Sequence, residues 1–107
     1  MAGTYTRRFG WAAVTGPGES LVFTATPDHV WILRDLVVTN HANAAQFIQV
    51  YIRSGTNVFN LVTEQTFPAV KSIHVELRQE IRSGESLFVY GATAQASCIA
   101  TGYALAL

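Results

Sequence analysis

The sequence predicts an all-β protein, an antiparallel β-sandwich of jelly-roll-like type with about eight strands. Most apolar stretches alternate apolar and polar residues with a period of two, the pattern of a strand that buries one face. Clusters of Gly, Pro, Asn, Asp and Ser separate these stretches at short intervals, as they do in sandwiches. No segment sustains the 3.6-residue period of an amphipathic helix, although 92–96 fits one helical turn or a loop.

Residues 1–17 are predicted to be an N-terminal arm or an edge strand, ahead of a β-sandwich domain at 18–107. Two cations and two aromatic rings lie close together in the first segment: Arg7, Arg8, Phe9 and Trp11. Aromatic residues and Arg are enriched at protein interfaces. An arm would dock these side chains on an adjacent subunit, whereas an edge strand would belong to the same sandwich. Both interpretations stay open.

The first strands of the sandwich are bounded by turn signals at 16–18 and 26–28. Both alternation sets of 30–39 are mainly apolar, with Arg34-Asp35 as the polar break. This strand is therefore predicted to be buried on both faces, either in the middle of the sandwich or against a neighbouring subunit. Within 46–53, Ile48, Val50 and Ile52 occupy alternate positions, with Gln49 and Arg53 on the other side, which predicts a strand with one core face.

Residues 72–81 show the clearest alternation. One face is mainly apolar, and the other is a ladder of polar residues: Ser72, His74, Glu76, Arg78 and Glu80. Such a ladder is predicted to be solvated or to pair with a complementary strand of a neighbouring subunit. His74, Glu76 and Arg78 are therefore interface candidates.

The last two strands follow a turn signal at 83–85. Residues 97–107 place large apolar side chains on one face and small ones on the other, so the small face suits close approach by a second layer. The tetrapeptide Gly-Glu-Ser-Leu occurs at 18–21 and again at 84–87. We interpret both copies as a glycine turn that leads into a strand; two related halves of one sandwich are the alternative.

The composition indicates a protein that associates with other chains. Half of the 107 residues are hydrophobic and 13% are charged, whereas soluble domains have about 25% charged residues. A small sandwich cannot bury that much apolar surface alone, so we expect a homo-oligomer or contacts with other proteins. Seven cations balance seven anions, which argues against nucleic acid or an anionic membrane as the partner.

Targeting signals are not predicted. No stretch approaches the roughly 20 apolar residues of a membrane span. Met1 to Phe9 contain no apolar core of the kind that a secretory signal needs, so we expect synthesis in a cytoplasm.

Catalytic and metal-binding patterns are not found, so we expect no enzyme, cofactor or metal. His29, His41 and His74 are far apart in the sequence, whereas zinc ligands usually come in close pairs. The single cysteine, Cys98, lies in mid-strand and is predicted to be an inert buried thiol. An enzyme of jelly-roll type would instead need two histidines and a carboxylate in one pocket.

The aromatic residues allow one further interpretation. We predict that Phe23 and Trp31 fill the core and that Tyr side chains line strand edges. A carbohydrate- or receptor-binding module would instead expose Trp11, Tyr51 or Tyr90 beside polar groups in a concave patch.

The order of strands and turns also suggests a family. A strand ends in a Thr-Pro turn (23–27), and the apolar strand after it closes in Asn (31–40). A strand at 49–52 and an amphipathic strand follow. The last part has a Gly-Glu turn with a short apolar strand (84–90) and a final strand with Thr101-Gly102-Tyr103. Over residues 18–107 this order resembles the small β-sandwich proteins of tailed bacteriophage particles. The Ala-Gly turn usual in those proteins is here Pro27-Asp28-His29.

Those proteins are minor tail, neck and head-decoration components. The resemblance implies a structural subunit of a tailed-phage virion, with no catalytic residues. We expect it to be tail-associated and to act by assembly with copies of itself and with other virion proteins. The alternatives are a capsid decoration protein that stabilises the head, and a carbohydrate- or receptor-binding module whose partner is a host-surface glycan.

Overall fold

The computed structural model describes the backbone of residues 4–14, 18–92 and 95–106, and the side chains of 18–62, 67–92 and 95–105. These residues form eight strands and no helix. In chain order the strands are β1 (Thr4–Val14), β2 (Gly18–Thr24), β3 (His29–Asn40), β4 (Gln46–Ser54), β5 (Asn57–Phe67), β6 (Ser72–Ile81), β7 (Glu85–Gly91) and β8 (Ala96–Ala106).

The strands form two four-stranded antiparallel sheets. The first sheet has the order β1-β8-β3-β6 and the second has the order β2-β7-β4-β5. The pairs β1–β8, β2–β7, β3–β6 and β4–β5 are those of one long hairpin. Successive pairs alternate between the sheets and are joined by β3–β8 and β4–β7 pairing. This is the rolled topology of a jelly roll, and the predicted all-β sandwich is confirmed.

Glycines with positive φ begin three of the strands or lie in the turns before them. Gly18 (φ 128°) and Gly84 (φ 88°) precede the two Glu-Ser-Leu segments, as the glycine-turn interpretation predicts. These segments lie on β2 and β7, which pair with each other. Gly55 (φ 61°) lies in the two-residue loop of the β4–β5 hairpin, closed by the Ser54–Asn57 pair. A residue with a Cβ rarely adopts these backbone conformations, so the glycines determine where the turns end and the strands begin.

The core lies between the two inner faces of the sheets. On β8 it uses small side chains with no exposure: Ala96, Cys98, Ala100 and Ala104. The opposite layer contributes larger ones: Ile48, Val50, Ile52, Phe67, Leu87 and Val89. Small residues facing large ones allow the layers to interdigitate at close packing density, which confirms the prediction for the small face of the C-terminal strand. Trp31 is buried, and Phe23 packs edge-on against its ring.

A β-bulge interrupts β3 at Arg34. The register shifts between Leu33 and Asp35 on both neighbouring strands. Relative to β8, β3 has one extra residue here. It reverses the alternation, so Leu33 and Leu36 both face the core while Arg34 is exposed. The inner face of β3 is buried as expected, and much of its outer face is half-buried, since no strand of the described residues covers it. Burial of that face against a neighbouring subunit stays a prediction.

Three further predicted segments, 72–81, 92–96 and 1–17, can be compared with the strands of the structure. Residues 72–81 match β6, with its polar ladder facing outward. The 92–96 segment contains the start of β8 at Ala96, and residues 93–94 lie outside the described part. The backbone of β1 pairs with β8 at the edge of the first sheet. The side chains of Arg7, Arg8, Phe9 and Trp11 lie outside the described residues.

Among the described residues, there is no helix with the length and apolar character needed to cross a bilayer.

Candidate interaction surfaces

The outer face of the second sheet presents a row of side chains across all four strands. The row contains Leu21, Phe88, Tyr51 and Asn60, which occupy paired positions on β2, β7, β4 and β5. The rings of Tyr51 and Phe88 stack, with centroids 5.8 Å apart. The row is therefore aromatic at its centre and ends in an exposed leucine on one side.

Arg53 crosses this row and connects β4 with β2. Its guanidinium lies over the ring of Phe88, 4.6 Å from the centroid. It donates to both carboxylate oxygens of Glu19, at 3.2 and 3.0 Å. The Tyr51 hydroxyl donates to the same carboxylate. Because the ion pair is bidentate, the positive and negative charges cancel locally and both side chains are held in fixed positions.

A hollow of about 380 Å³ opens beside the Arg53–Glu19 pair. Its lining consists of Gln49, Tyr51, Arg53, Val58 and Tyr90. Tyr51 is 7% exposed and forms the floor, while Tyr90 is half-buried at the side. The prediction that Tyr side chains line strand edges is wrong for Tyr51, because β4 is a central strand of its sheet. The hydrogen bond to Glu19 holds the Tyr51 side chain in place. The hollow has the size of a small-molecule site.

Apolar side chains on this face remain open to solvent. Leu21 is 52% exposed, Phe47 is 51% exposed and Val58 is 50% exposed. All three lie on the outward side of the second sheet, since Phe47 alternates with Gln49 on β4 and Val58 pairs with Arg53. Leu21 is one end of the row, and Phe47 and Val58 lie on either side of it along the strands. The surface combines exposed apolar area with neutralised charge.

The outer face of the first sheet carries the charged ladder of β6. Asp35, next to the bulge, lies directly opposite Glu76. His74, on the same face, contacts Asp35 through Nε2 at 2.7 Å. One ligand atom from each of the three residues lies within 4.8 Å of the others. The structure thus brings two of the predicted interface residues together with an aspartate that the sequence did not single out. Arg78 is exposed further along β6.

The remaining nucleophilic and imidazole groups are dispersed. His41 Nε2 lies 2.8 Å from the Ser97 hydroxyl, and His29 contacts Asp28. The three histidines therefore have three different partners. Cys98 is fully buried, and burial raises the pKa of its thiol to about 12. The prediction of a buried thiol is confirmed, and its inertness stays a prediction.

The chain is similar to chains in several solved structures of viral proteins. A chain from the structure of infectious bursal disease virus, Gx strain, matches all of this chain with a TM-score of 0.52 and 10% identity, and this chain spans 32% of its length. A chain from T=1 particles derived from the same virus has a TM-score of 0.48 and 11% identity, with 98% of this chain and 31% of that chain covered. A pentameric capsid protein from metagenomic phage sequences has a TM-score of 0.40 and 16% identity, covering 94% and 59%.

At 10% identity, the likeness to the Gx-strain chain concerns the fold alone. This protein spans about a third of the length of that chain. No protein-family model matches the chain. No curated protein matches it either.

Proposed function

We propose that the protein is a structural subunit of a virus particle and acts by assembling with copies of itself. The observation that carries the proposal is the rolled strand order, 1-8-3-6 over 2-7-4-5. The jelly roll recurs in viral capsid and lectin domains, and the virus chain of the Gx strain has a similar fold. No catalytic role is proposed, because the three histidines have separate partners and the single thiol is buried.

The contact surface is assigned to the outer face of the second sheet. Exposed Leu21 and Val58 supply apolar area beside the Tyr51–Phe88 stack. The Arg53–Glu19 pair is already neutralised within the chain, so a partner need not supply an opposite charge when this face is desolvated. Apolar and aromatic groups with a paired Arg are the composition of an interface centre.

The position in the particle is a finer part of the proposal. Both a tail-associated position and a head-decorating position are compatible with a sandwich that assembles through this face. The jelly-roll order favours a position in or on the shell, since that fold is typical of capsid domains. The seven sequence candidates, Arg7, Arg8, Phe9, Trp11, His74, Glu76 and Arg78, stay predictions for contacts with other virion proteins.

The test is the oligomeric state of the whole chain. Light scattering after size exclusion at micromolar concentration is expected to show an oligomer, and negative-stain microscopy to show closed assemblies of uniform size. The double variant Leu21→Ser/Val58→Ser is expected to elute as a monomer with an unchanged circular dichroism spectrum. Val70→Asn is the matched control, since Val70 is 70% exposed but lies in the β5–β6 loop, away from this face.

Two results would count against the proposal. One is a wild-type chain that stays monomeric and forms no particles on concentration. The other is an unchanged assembly in the double variant, which would remove the second sheet as the contact face.

A second candidate function, binding of a neutral glycan, is favoured by the hollow. Tyr90, half-buried at the side of the hollow, supplies a ring for a sugar to contact. The Gln49–Asn60 amide pair, joined by a 2.7 Å hydrogen bond, supplies donors and acceptors beside it. Arg53 is occupied by Glu19, so the hollow offers no unpaired cation for an acidic sugar.

Glycan-array binding tests this candidate, with Tyr90→Ala expected to abolish the signal. Tyr103→Ala, a half-buried tyrosine on β8 of the first sheet, is the matched control. Equal binding by the Tyr90→Ala variant and the wild type would exclude the hollow.

A further inference from the structure

We propose that Asp35, His74 and Glu76 form a binding site for a divalent transition-metal cation of zinc type on the outer face of the first sheet. One imidazole nitrogen and two carboxylate oxygens lie within 4.8 Å of one another. Zinc binds His nitrogen and carboxylate oxygen at about 2.0–2.2 Å, which places neighbouring ligands about 3.4 Å apart in a tetrahedron. The three groups therefore reach coordination distance by side-chain adjustment alone.

The pairing of β3 with β6 fixes this arrangement. Asp35 lies directly opposite Glu76, and Val37 lies opposite His74, so all three donors belong to two adjacent rows of one face. The bulge at Arg34, where β3 has one more residue than β8, turns Asp35 to the outer face; without the extra residue, the alternation would point it inward. Ligands carried by paired strands are held more precisely than ligands on loops.

The electrostatics of the site favour a cation. Two carboxylates directly opposite each other on antiparallel strands repel. A divalent ion bound between the two carboxylates would remove this repulsion. The mixed nitrogen and oxygen donor set selects zinc and its neighbours over calcium or magnesium, which prefer oxygen alone.

The exposure of the site sets its character. The side chains of His74 and Asp35 are 52% and 40% exposed, so an ion can enter directly from solvent and keeps at least one position open to water. Binding would tie β6, an edge strand, to β3. The inference does not depend on the assembly role, because metal binding is measured on the chain whatever its oligomeric state.

The experiment is calorimetric titration of the tag-free protein with zinc chloride at neutral pH. One equivalent per chain is expected to bind. Glu76→Gln and His74→Ala are each expected to weaken binding at least tenfold, since even outer-shell partners of a metal ligand contribute about 10–100-fold. Zinc is also expected to raise the thermal midpoint of the wild type but not of these variants.

Two variants serve as controls. His41→Ala removes an exposed imidazole that lies against Ser97, and Glu80→Gln removes a carboxylate of the same ladder that pairs with Arg82. Both are expected to bind zinc like the wild type. No binding to the wild type, or equal binding by Glu76→Gln and the wild type, would overturn the proposal. Circular dichroism checks that each variant is folded.

Discussion

Replacing Asn40 with alanine is predicted to be the most destabilising single change of a polar residue in the described sandwich. The side chain has no exposure and lies at the end of β3. Its Nδ2 donates to the carbonyls of Ala44, Phe67 and Pro68 at 3.0, 3.2 and 3.0 Å. Two hydrogens are thus shared among three acceptors.

The carboxamide oxygen of Asn40 completes this set. It accepts from the Ala42 backbone N–H at 2.9 Å and from Gln46 Nε2 at 2.8 Å. One side chain therefore joins the end of β3, the loop that follows it, the start of β4 and the end of β5. Alanine at this position would leave buried donors and acceptors without their partner.

The magnitude follows from the number of bonds. A hydrogen bond contributes about 1 kcal/mol net, and a buried group left unsatisfied costs about 1–3 kcal/mol. Some of the freed groups lie near the loop and regain water, so we expect a loss of roughly 4 kcal/mol. Domains of this size have total stabilities of about 5–15 kcal/mol, so Asn40→Ala is expected to leave the chain barely folded.

Urea unfolding followed by tryptophan fluorescence measures this loss, because Trp31 is buried. Asn60→Ala is the matched control. It removes an exposed amide with one hydrogen bond to Gln49, and it is expected to change the free energy of unfolding by less than about 0.5 kcal/mol. A loss below about 1 kcal/mol for Asn40→Ala would refute the reasoning, since the five bonds would then be replaceable by water.

Three further predictions concern single residues. Cys98, whose thiol has a pKa raised to about 12 by burial, should not react with a disulfide reagent at neutral pH in the native protein and should react fully in urea; native reactivity would contradict the packing. Hydrogen bonds from the side chains of Thr26 and His29 lower the pKa of Asp28 from 3.8 to about 2, so its stabilising contribution is complete above pH 3.8 and is lost as the pH falls towards 2. An NMR titration should show this midpoint, with Thr26→Val moving it upward; a midpoint near 3.8 in the wild type would refute it. Val70 has a φ of 52°, a strained conformation for a β-branched residue, so Val70→Asn should raise the free energy of unfolding by about 1 kcal/mol in urea titrations, and a loss of stability would count against strain there.

The sequence predicts the local features of this fold well. Strand β6 agrees residue for residue with the alternation of 72–81, because the period of two depends only on which face is buried. The positive φ of Gly18 and Gly84 is likewise a local property of the chain. Such features need no knowledge of distant residues.

Features that depend on strand pairing could not be predicted. Asp35 and Glu76 are 41 positions apart in the numbering, and only the β3–β6 register, shifted by the bulge, makes them neighbours. Tyr51 and Glu19 meet across β7 in the same way. The sequence places Asn40 in a turn signal. Its buried hydrogen bonds could not be predicted, because they depend on two loops that come together around it in the folded chain.

The outer faces of the two sheets differ in the charge that a partner would have to desolvate on binding. This difference allows an experiment to tell contact through the second sheet from contact through β6. On the second sheet, Glu19 and Arg53 neutralise each other, and the other exposed groups named on this face, Leu21, Phe47, Val58 and Asn60, carry no charge. On β6, charged side chains alternate along the ladder, so burying them costs several kcal/mol per ion unless each meets an opposite charge. Association through the second sheet is therefore expected to be nearly insensitive to salt, whereas association through β6 should weaken as the Debye length falls from about 10 Å at 0.1 M to about 3 Å at 1 M. An assembly that dissociates between these salt concentrations would place the contact on the β6 ladder.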